Sequence, residues 1–274
     1  MEILPEEKIP LITRSFDIYG SKRKAVAIIE IPKELGDVEG AIAQALMKIN
    51  KNVKSVLVKE SGREGAFRTR ELRLVAGAPD TEVLHREAGC LFRLDPKTVY
   101  FSPRESSERD RLTAAVNEGE EVLVMFSGVC PLPIRIAKKH KRIRVTAVEL
   151  NPEAHNYAIE NIHLNRVGDR VLALQGDVRE ICPKLGRLYD RIAMPLPKGA
   201  FRFLDVAVPL LKDEGFLHMY HWADENDLFS EAKGHIRGAA EAGGKVAEFV
   251  NWVRVSQYSP RTWKVRIDAR ISPL

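Results

Sequence analysis

Cysteine is scarce in this 274-residue chain: Cys90, Cys130 and Cys182 are odd in number and far apart. No CxxC pair or Cys/His spacing points to a disulfide framework or a structural zinc, and no ligand cluster supports any metal. No stretch approaches the ~20 consecutive apolar residues that a bilayer-spanning helix needs. The N-terminus lacks the basic-then-apolar layout of a secretory signal, so the protein is expected in the cytosol, with no membrane partner. Internal repeats and low-complexity tracts are missing as well. With 45% hydrophobic and 30% charged residues the chain is neither disordered nor fibrous. The net charge of +5 is a mild excess that permits a polyanionic partner without requiring one.

What is present from about Asn117 onward is an alternation of strands and helices. Glu121–Phe126 is a short apolar run, followed by a Gly-containing turn and a helical stretch to His140. Arg144–Glu149 leads into Asn151-Pro152, where the proline suits the first turn of a helix carrying Ala154, Tyr157, Ala158 and Ile162 on one side. Val171–Leu174, Arg191–Met194 and Phe216–Tyr220 read as three more strands, with a helix over Phe203–Leu211 between the last two. After a helical stretch near Glu225–Ala240, the runs Ala247–Val255 and Trp263–Ile271 have strand composition and no helix between them, as for an antiparallel pair at one edge. The pattern is that of an α/β, mostly parallel, Rossmann-like sheet covered on both faces.

The first hundred residues read differently. Lys24–Ile31 and Val53–Lys59 look like strands with a helix over Val38–Ile49 between them, and His85–Phe92 and Thr98–Phe101 look like a later pair. A boundary near residue 100 is expected, with a smaller α+β domain over 1–100 and the Rossmann-like domain over 101–274. Residues 51–73 carry seven Lys or Arg (Lys51, Lys54, Lys59, Arg63, Arg68, Arg70 and Arg73) against three Glu, which makes this either a solvated face or a polyanion-binding one.

In open α/β sheets ligands bind beyond the carboxyl ends of the strands. Three features fall there: the small-residue turn Phe126-Ser-Gly-Val-Cys-Pro131, the acid Glu149, and Gly176-Asp177-Val178. Each alone has a plain structural explanation, a turn or a helix cap. In this order they resemble the S-adenosylmethionine site of class I methyltransferases; a nicotinamide dinucleotide site fits less well, because Cys130 stands where GxGxxG would have its second glycine.

Further motifs occur in order: Arg68-Thr-Arg-Glu71, Phe101-Ser-Pro-Arg104, Glu108-Arg-Asp-Arg111, Met125-Phe-Ser-Gly128, Glu149-Leu-Asn-Pro152, Asn161-Ile-His-Leu-Asn165, Leu196-Pro-Lys198 and Tyr258-Ser-Pro-Arg-Thr-Trp263. From roughly residue 60 to the end, the chain resembles the archaeal and eukaryotic tRNA (guanosine-37-N1) methyltransferase family. It is also similar to the sister aminocarboxypropyl transferases of the wybutosine pathway, which use the same cofactor differently.

The resemblance implies a cytoplasmic, monomeric enzyme that carries the methyl of S-adenosylmethionine to N1 of guanosine 37 in the tRNA anticodon loop. By that resemblance the cofactor lies against Ser102, Arg109, Phe126, Ser127, Gly128, Cys130, Glu149, Leu150, Asn151, Asp177, Val178 and Met194. Glu108 is the base for the N1 proton and Arg68 the donor toward O6, while Arg104, Pro195, Pro197, Lys198 and Arg261 face the RNA. Read without the resemblance, Glu108 and Arg109 are a solvent-exposed pair opening a helix.

The chain departs from that family at Pro195, which stands where the methyltransferases carry an Asn and offers neither side-chain nor backbone donor. Length and the lack of an extra N-terminal domain lean toward the aminocarboxypropyl transferases; Phe101-Ser-Pro-Arg104 and Arg68-Thr-Arg-Glu71 lean toward methyl transfer. A non-catalytic partner in an RNA-modifying complex and a small-molecule methyltransferase are the readings from other classes. Arg254, Arg261, Lys264 and Arg266 are expected to track the RNA backbone, and Trp252, Tyr258 and Trp263 are either stacking surfaces or core.

Overall fold

Two sheets share one apolar core in the computed structural model, which describes residues 6–13, 15–62 and 65–274; Arg63 of the basic segment lies outside them. The N-terminal sheet has the order β1-β2-β3-β4, with β1 Phe16–Gly20, β2 Ala25–Ile29, β3 Val53–Lys59 and β4 Leu72–Gly77. β2 and β3 run parallel through α1, Glu39–Ile49, and the other pairs are antiparallel. Alternation splits the sheet's two faces. Ala25, Ala27, Val56 and Val58 meet α1, while Val26, Ile28 and Leu57 join Phe92, Phe101 and the core of the larger domain.

β5, Val83–Glu87, and β6, Cys90–Leu94, form a hairpin turned by Ala88 and Gly89, both at positive φ. The run His85–Phe92, expected as one strand, is thus folded in two, since a two-residue turn with both residues left-handed closes a hairpin tightly. Thr98–Phe101 is not its partner strand. Asp95 takes the amides of Lys97, Thr98 and Val99 and winds that segment into a turn. β1 and β4 carried no strand expectation.

After α2, Ser106–Ala115, comes the seven-stranded sheet. Its strands are β7 Glu121–Met125, β8 Arg144–Glu149, β9 Val171–Gln175, β10 Tyr189–Met194, β11 Leu211–Asp224, β12 Lys245–Ser259 and β13 Thr262–Pro273. Their order is β12-β13-β11-β10-β7-β8-β9; the pairs from β11 to β9 are parallel and β13 is antiparallel to both neighbours, as expected for the edge.

The helices are α3 Pro131–Lys139, α4 Pro152–Leu164, α5 Val178–Ile181, α6 Leu204–Ala207 and α7 Ser230–Ala242. The helix expected over Phe203–Leu211 keeps one α turn, α6, between 3-10 turns, because Pro209 has no amide to continue it. Val122, Val124, Val145 and Ala147 face α3 and α4, and Leu123, Met125, Ile192 and Met219 face α6 and α7. The order reverses between β7 and β10, so the carboxyl end of β7 is the switch point where such sheets bind ligands. No helix among the described residues is long and apolar enough to cross a membrane.

Candidate active site

The turn leaving β7 sets the site's geometry. Phe126, Gly128 and Cys130 all take positive φ, at 57°, 56° and 62°, an alternation that folds the chain back on itself before Pro131 opens α3. Glu149, at the end of β8, fixes this turn: its carboxylate accepts from the amides of Gly128 at 2.7 Å and Asn151 at 2.9 Å. Burial raises the pKa of Glu149, and these amide contacts act against that rise. Asn151 caps α4, and Asp177, after β9, caps α5 by accepting from the Arg179 amide at 2.8 Å. Sequence order and strand ends therefore bring both acids to one place.

That place is a cleft of about 510 Å³. Phe126, Gly128, Glu149, Leu150, Asn151, Asp177, Val178, Pro195 and Lys198 line it, as does Arg68, which reaches it from the loop before β4. Arg68 has a φ of 53° and lies over the Tyr100 ring at 5.6 Å. Sequence reasoning missed Gly65–Phe67, Tyr100, Ala154, Leu196, Gly199, Arg202 and Phe203, which complete the wall. The positive φ of Gly199, at 95°, follows a Pro-Leu-Pro-Lys segment, a turn signal in the sequence that went unused.

A smaller chamber of about 70 Å³ adjoins this cleft, and Tyr100, Phe126, Gly128 and Pro195 belong to both. Ser102, Glu108, Arg109 and Ser127 line the chamber. Glu108 is only 3% exposed, which overturns its reading as half of a solvated pair. Its Oε1 accepts from the Tyr220 hydroxyl at 2.8 Å and pairs with Arg266, and its Oε2 accepts from Arg111 at 3.2 Å. Arg109 is committed elsewhere, in a buried two-pronged pair with Glu87 that Arg135 shares.

Several expected contacts fall outside both cavities. Met194 and Cys130 are fully buried; Met194 packs in the core facing α6 and α7, and burial pushes the Cys130 thiol up to about 12, so it is a filler and no nucleophile. The Pro197 ring is buried while its carbonyl accepts from the Trp222 amide at 3.2 Å. Arg261 sits in the β12–β13 turn and pairs with Glu225 at 3.0 Å. Arg104 is exposed and pairs with Asp17 of β1.

A correction applies to Lys264 and Arg266, expected on an RNA-tracking surface. They are 2% and 3% exposed, because their register in β13 turns them inward, onto Glu105 and onto Glu108 and Asp268. Arg254 lies over the Trp263 ring, and Trp252 and Tyr258 are exposed. No metal-binding cluster is present among the described residues.

The switch-point cleft, the left-handed turn after β7 and the acids closing β8 and β9 define a class I S-adenosylmethionine-dependent methyltransferase domain behind a smaller N-terminal sheet. The TRM5/TYW2 methyltransferase domain matches residues 83–247 and the TYW2 N-terminal domain residues 1–81, and the chain belongs to the TRM5/TYW2 methyltransferase family.

It is 41% identical to the tRNA (guanine(37)-N(1))-methyltransferase Trm5b of Pyrococcus abyssi, over 98% of this chain and 78% of that protein. It is 31% identical to the tRNA(Phe) (4-demethylwyosine(37)-C(7)) aminocarboxypropyltransferase of Methanocaldococcus jannaschii, over 89% of this chain and 94% of that protein. Among solved structures, the complex of aTrm5 with tRNALeu superposes with a TM-score of 0.83 at 29% identity, covering 97% of this chain and 74% of that one. Pyrococcus horikoshii TYW2 bound to MeSAdo superposes with a TM-score of 0.84 at 28% identity, covering 99% and 96%.

Proposed function

We propose that the protein transfers the methyl group of S-adenosylmethionine to N1 of guanosine 37 in tRNA, acting as a cytosolic monomer. The observation that carries this reading is the buried carboxylate of Glu108 in a chamber opening beside the cofactor-sized cleft, with Arg68 on the cleft's rim.

The cleft fits the cofactor on its own terms. Its volume is within the range of small-ligand sites, Gly128 and Gly176 let backbone approach a ligand, and Glu149 and Asp177 supply acceptors for ribose hydroxyls and an adenine amine. When bound there, the cofactor supplies an electrophilic methyl. Glu108 takes the N1 proton, and Arg68 meets the charge that develops on O6. Lys198 and Arg104 are both exposed, and we assign RNA-phosphate contacts to them and further RNA contact to the N-terminal region, residues 1–100.

Aminocarboxypropyl transfer is the second reading. Pro195 favours it by lining both cavities without a donor, and so does the match of residues 1–81 to the TYW2 N-terminal domain. Glu108→Gln tests the primary reading: methyl transfer to tRNA should fall by about 10²-fold or more, while S-adenosylmethionine and tRNA dissociation constants stay within about twofold. A variant with wild-type turnover removes Glu108 from the chemistry.

A further inference from the structure

The face of the large sheet toward α2 changes character along the sheet. It is apolar over β7 and β8, but over β11 and β13 it carries His218, Tyr220, Lys264, Arg266 and Asp268, all at most 5% exposed. Such a buried polar array costs solvation free energy, so each group must be paired.

One branch of that pairing leads to Glu108. Arg266 donates through Nε to Asp268 Oδ1 at 2.7 Å and through Nη2 to Oδ2 at 2.9 Å, and turns its remaining nitrogen to Glu108. His218 holds Asp268 through Nδ1 at 2.6 Å, while its Nε2 faces Arg191 at 2.6 Å, which fixes the imidazole as neutral with its proton on Nδ1. Arg191 is itself paired with Glu120 at 2.7 Å. Asp268 contacts neither cavity, and nothing in the cofactor cleft requires it.

We propose that Asp268 and Tyr220 are positioning residues that tune proton uptake by Glu108 in opposite directions, Asp268 acting through Arg266. The inference rests on the methyl-transfer reading. In that reaction the N1–H bond breaks and its proton passes to Glu108. The N1 electron pair forms the new N–C bond, and the pair of the breaking S–C bond goes to sulfur. Beforehand Glu108, Arg266 and Asp268 sum to a single negative charge. Afterwards they sum to zero, and Arg266 keeps a two-pronged carboxylate partner, so no buried cation is stranded.

Tyr220 does the reverse: its hydroxyl stabilises the ionised carboxylate. The other charges facing Glu108 are balanced or at the rim. Lys264 is paired with Glu105 at 2.6 Å and Arg109 with Glu87, and the Arg111 side chain is 54% exposed.

The test is the pH dependence of single-turnover methyl transfer to unmodified tRNA by the full chain, with cofactor and tRNA affinities and the unfolding midpoint measured alongside. Asp268→Asn removes a negative charge and keeps the shape, so the acid limb should move down by about one pH unit. The plateau rate should fall roughly threefold. Tyr220→Phe removes only an oxygen and should move the limb up by about one unit. Affinities should hold within about twofold in both.

Two active variants with the wild-type limb, or limbs moving the same way, overturn the inference and leave the functional reading standing. If Asp268→Asn does not fold, Tyr220→Phe decides alone: an unmoved limb overturns it. A wild-type protein that transfers no methyl overturns the functional reading and this inference with it.

Discussion

Gly176 follows β9 at a φ of 142°, and a Cβ there would lie 2.8 Å from Ile181 Cγ1, at the residue just before the helix-capping Asp177. Both the backbone conformation and the space are glycine's alone. Gly176→Ala should therefore cost about 1–3 kcal/mol of stability and displace Asp177, weakening cofactor binding measurably by calorimetry; unchanged affinity would detach this turn from the site.

At this scale the acids were legible because strand ends are legible: Glu149 and Asp177 follow apolar runs of recognisable length. Tyr220, Lys264 and Arg266 were not, since a Lys or Arg alternating along a strand reads as solvent-facing, and it is the neighbouring carboxylates, Glu105 just before α2, Glu108 on it and Asp268 on β13, that make an inward face tolerable.

At the scale of elements, the Asn161-Ile-His-Leu-Asn165 motif has a mechanical explanation. Asn165 accepts from Leu91 N at 3.0 Å and donates to Leu91 O at 2.6 Å, and Asn161 does the same for Arg93 at 2.6 and 3.1 Å. One turn apart, on α4 and at its C-cap, the two amides act as a surrogate strand along β6 and satisfy an edge that would otherwise be buried unpaired. Asn161 also donates to Val129 O at 3.2 Å, in the turn after β7, so the clamp ties hairpin and cofactor turn together.

Asn161→Ala should destabilise the fold by about 2–3 kcal/mol, read from denaturant unfolding, because buried amides and carbonyls lose their partners together. A change below about 0.5 kcal/mol would show the clamp to be incidental. The helix itself was legible from its 3.6-residue period and Asn-Pro start; the use of its asparagines was not, since a β edge 68 residues away in sequence supplies the reason. The hairpin's two-residue turn was missed for lack of an Asn-Gly or Asp-Gly signal: Ala88 takes the left-handed position without one.

Across the whole molecule, the N-terminal sheet and the methyltransferase domain meet through a common core and through Tyr19, whose hydroxyl donates to Phe101 O at 3.2 Å, so Arg68 is delivered to the cleft by a body packed firmly on the catalytic one. Stability should fall on the acid side in two stages. Burial holds the His218 pKa below its ordinary 6.5, so its contribution is complete above that value and is lost as pH falls below it. Asp268, held at about 2 against an ordinary 3.8 despite its burial by His218 and Arg266, contributes above the higher value and loses that contribution toward the lower. Unfolding free energies across this range should decline more gently below pH 6.5 in His218→Asn than in the wild type; parallel curves would remove the imidazole from the acid response.

Methyl and aminocarboxypropyl transfer break different bonds to the same sulfur, and labelled S-adenosylmethionine separates them. The full chain, given cofactor labelled in the methyl group or in the carboxyl carbon, is incubated with tRNA bearing unmodified G37 and with tRNA bearing the tricyclic wyosine precursor. Methyl label in the G37 tRNA, with no carboxyl label in either, is the predicted result. Carboxyl label in the precursor tRNA would contradict it and make Pro195, in place of the expected asparagine, the mark of the sister reaction.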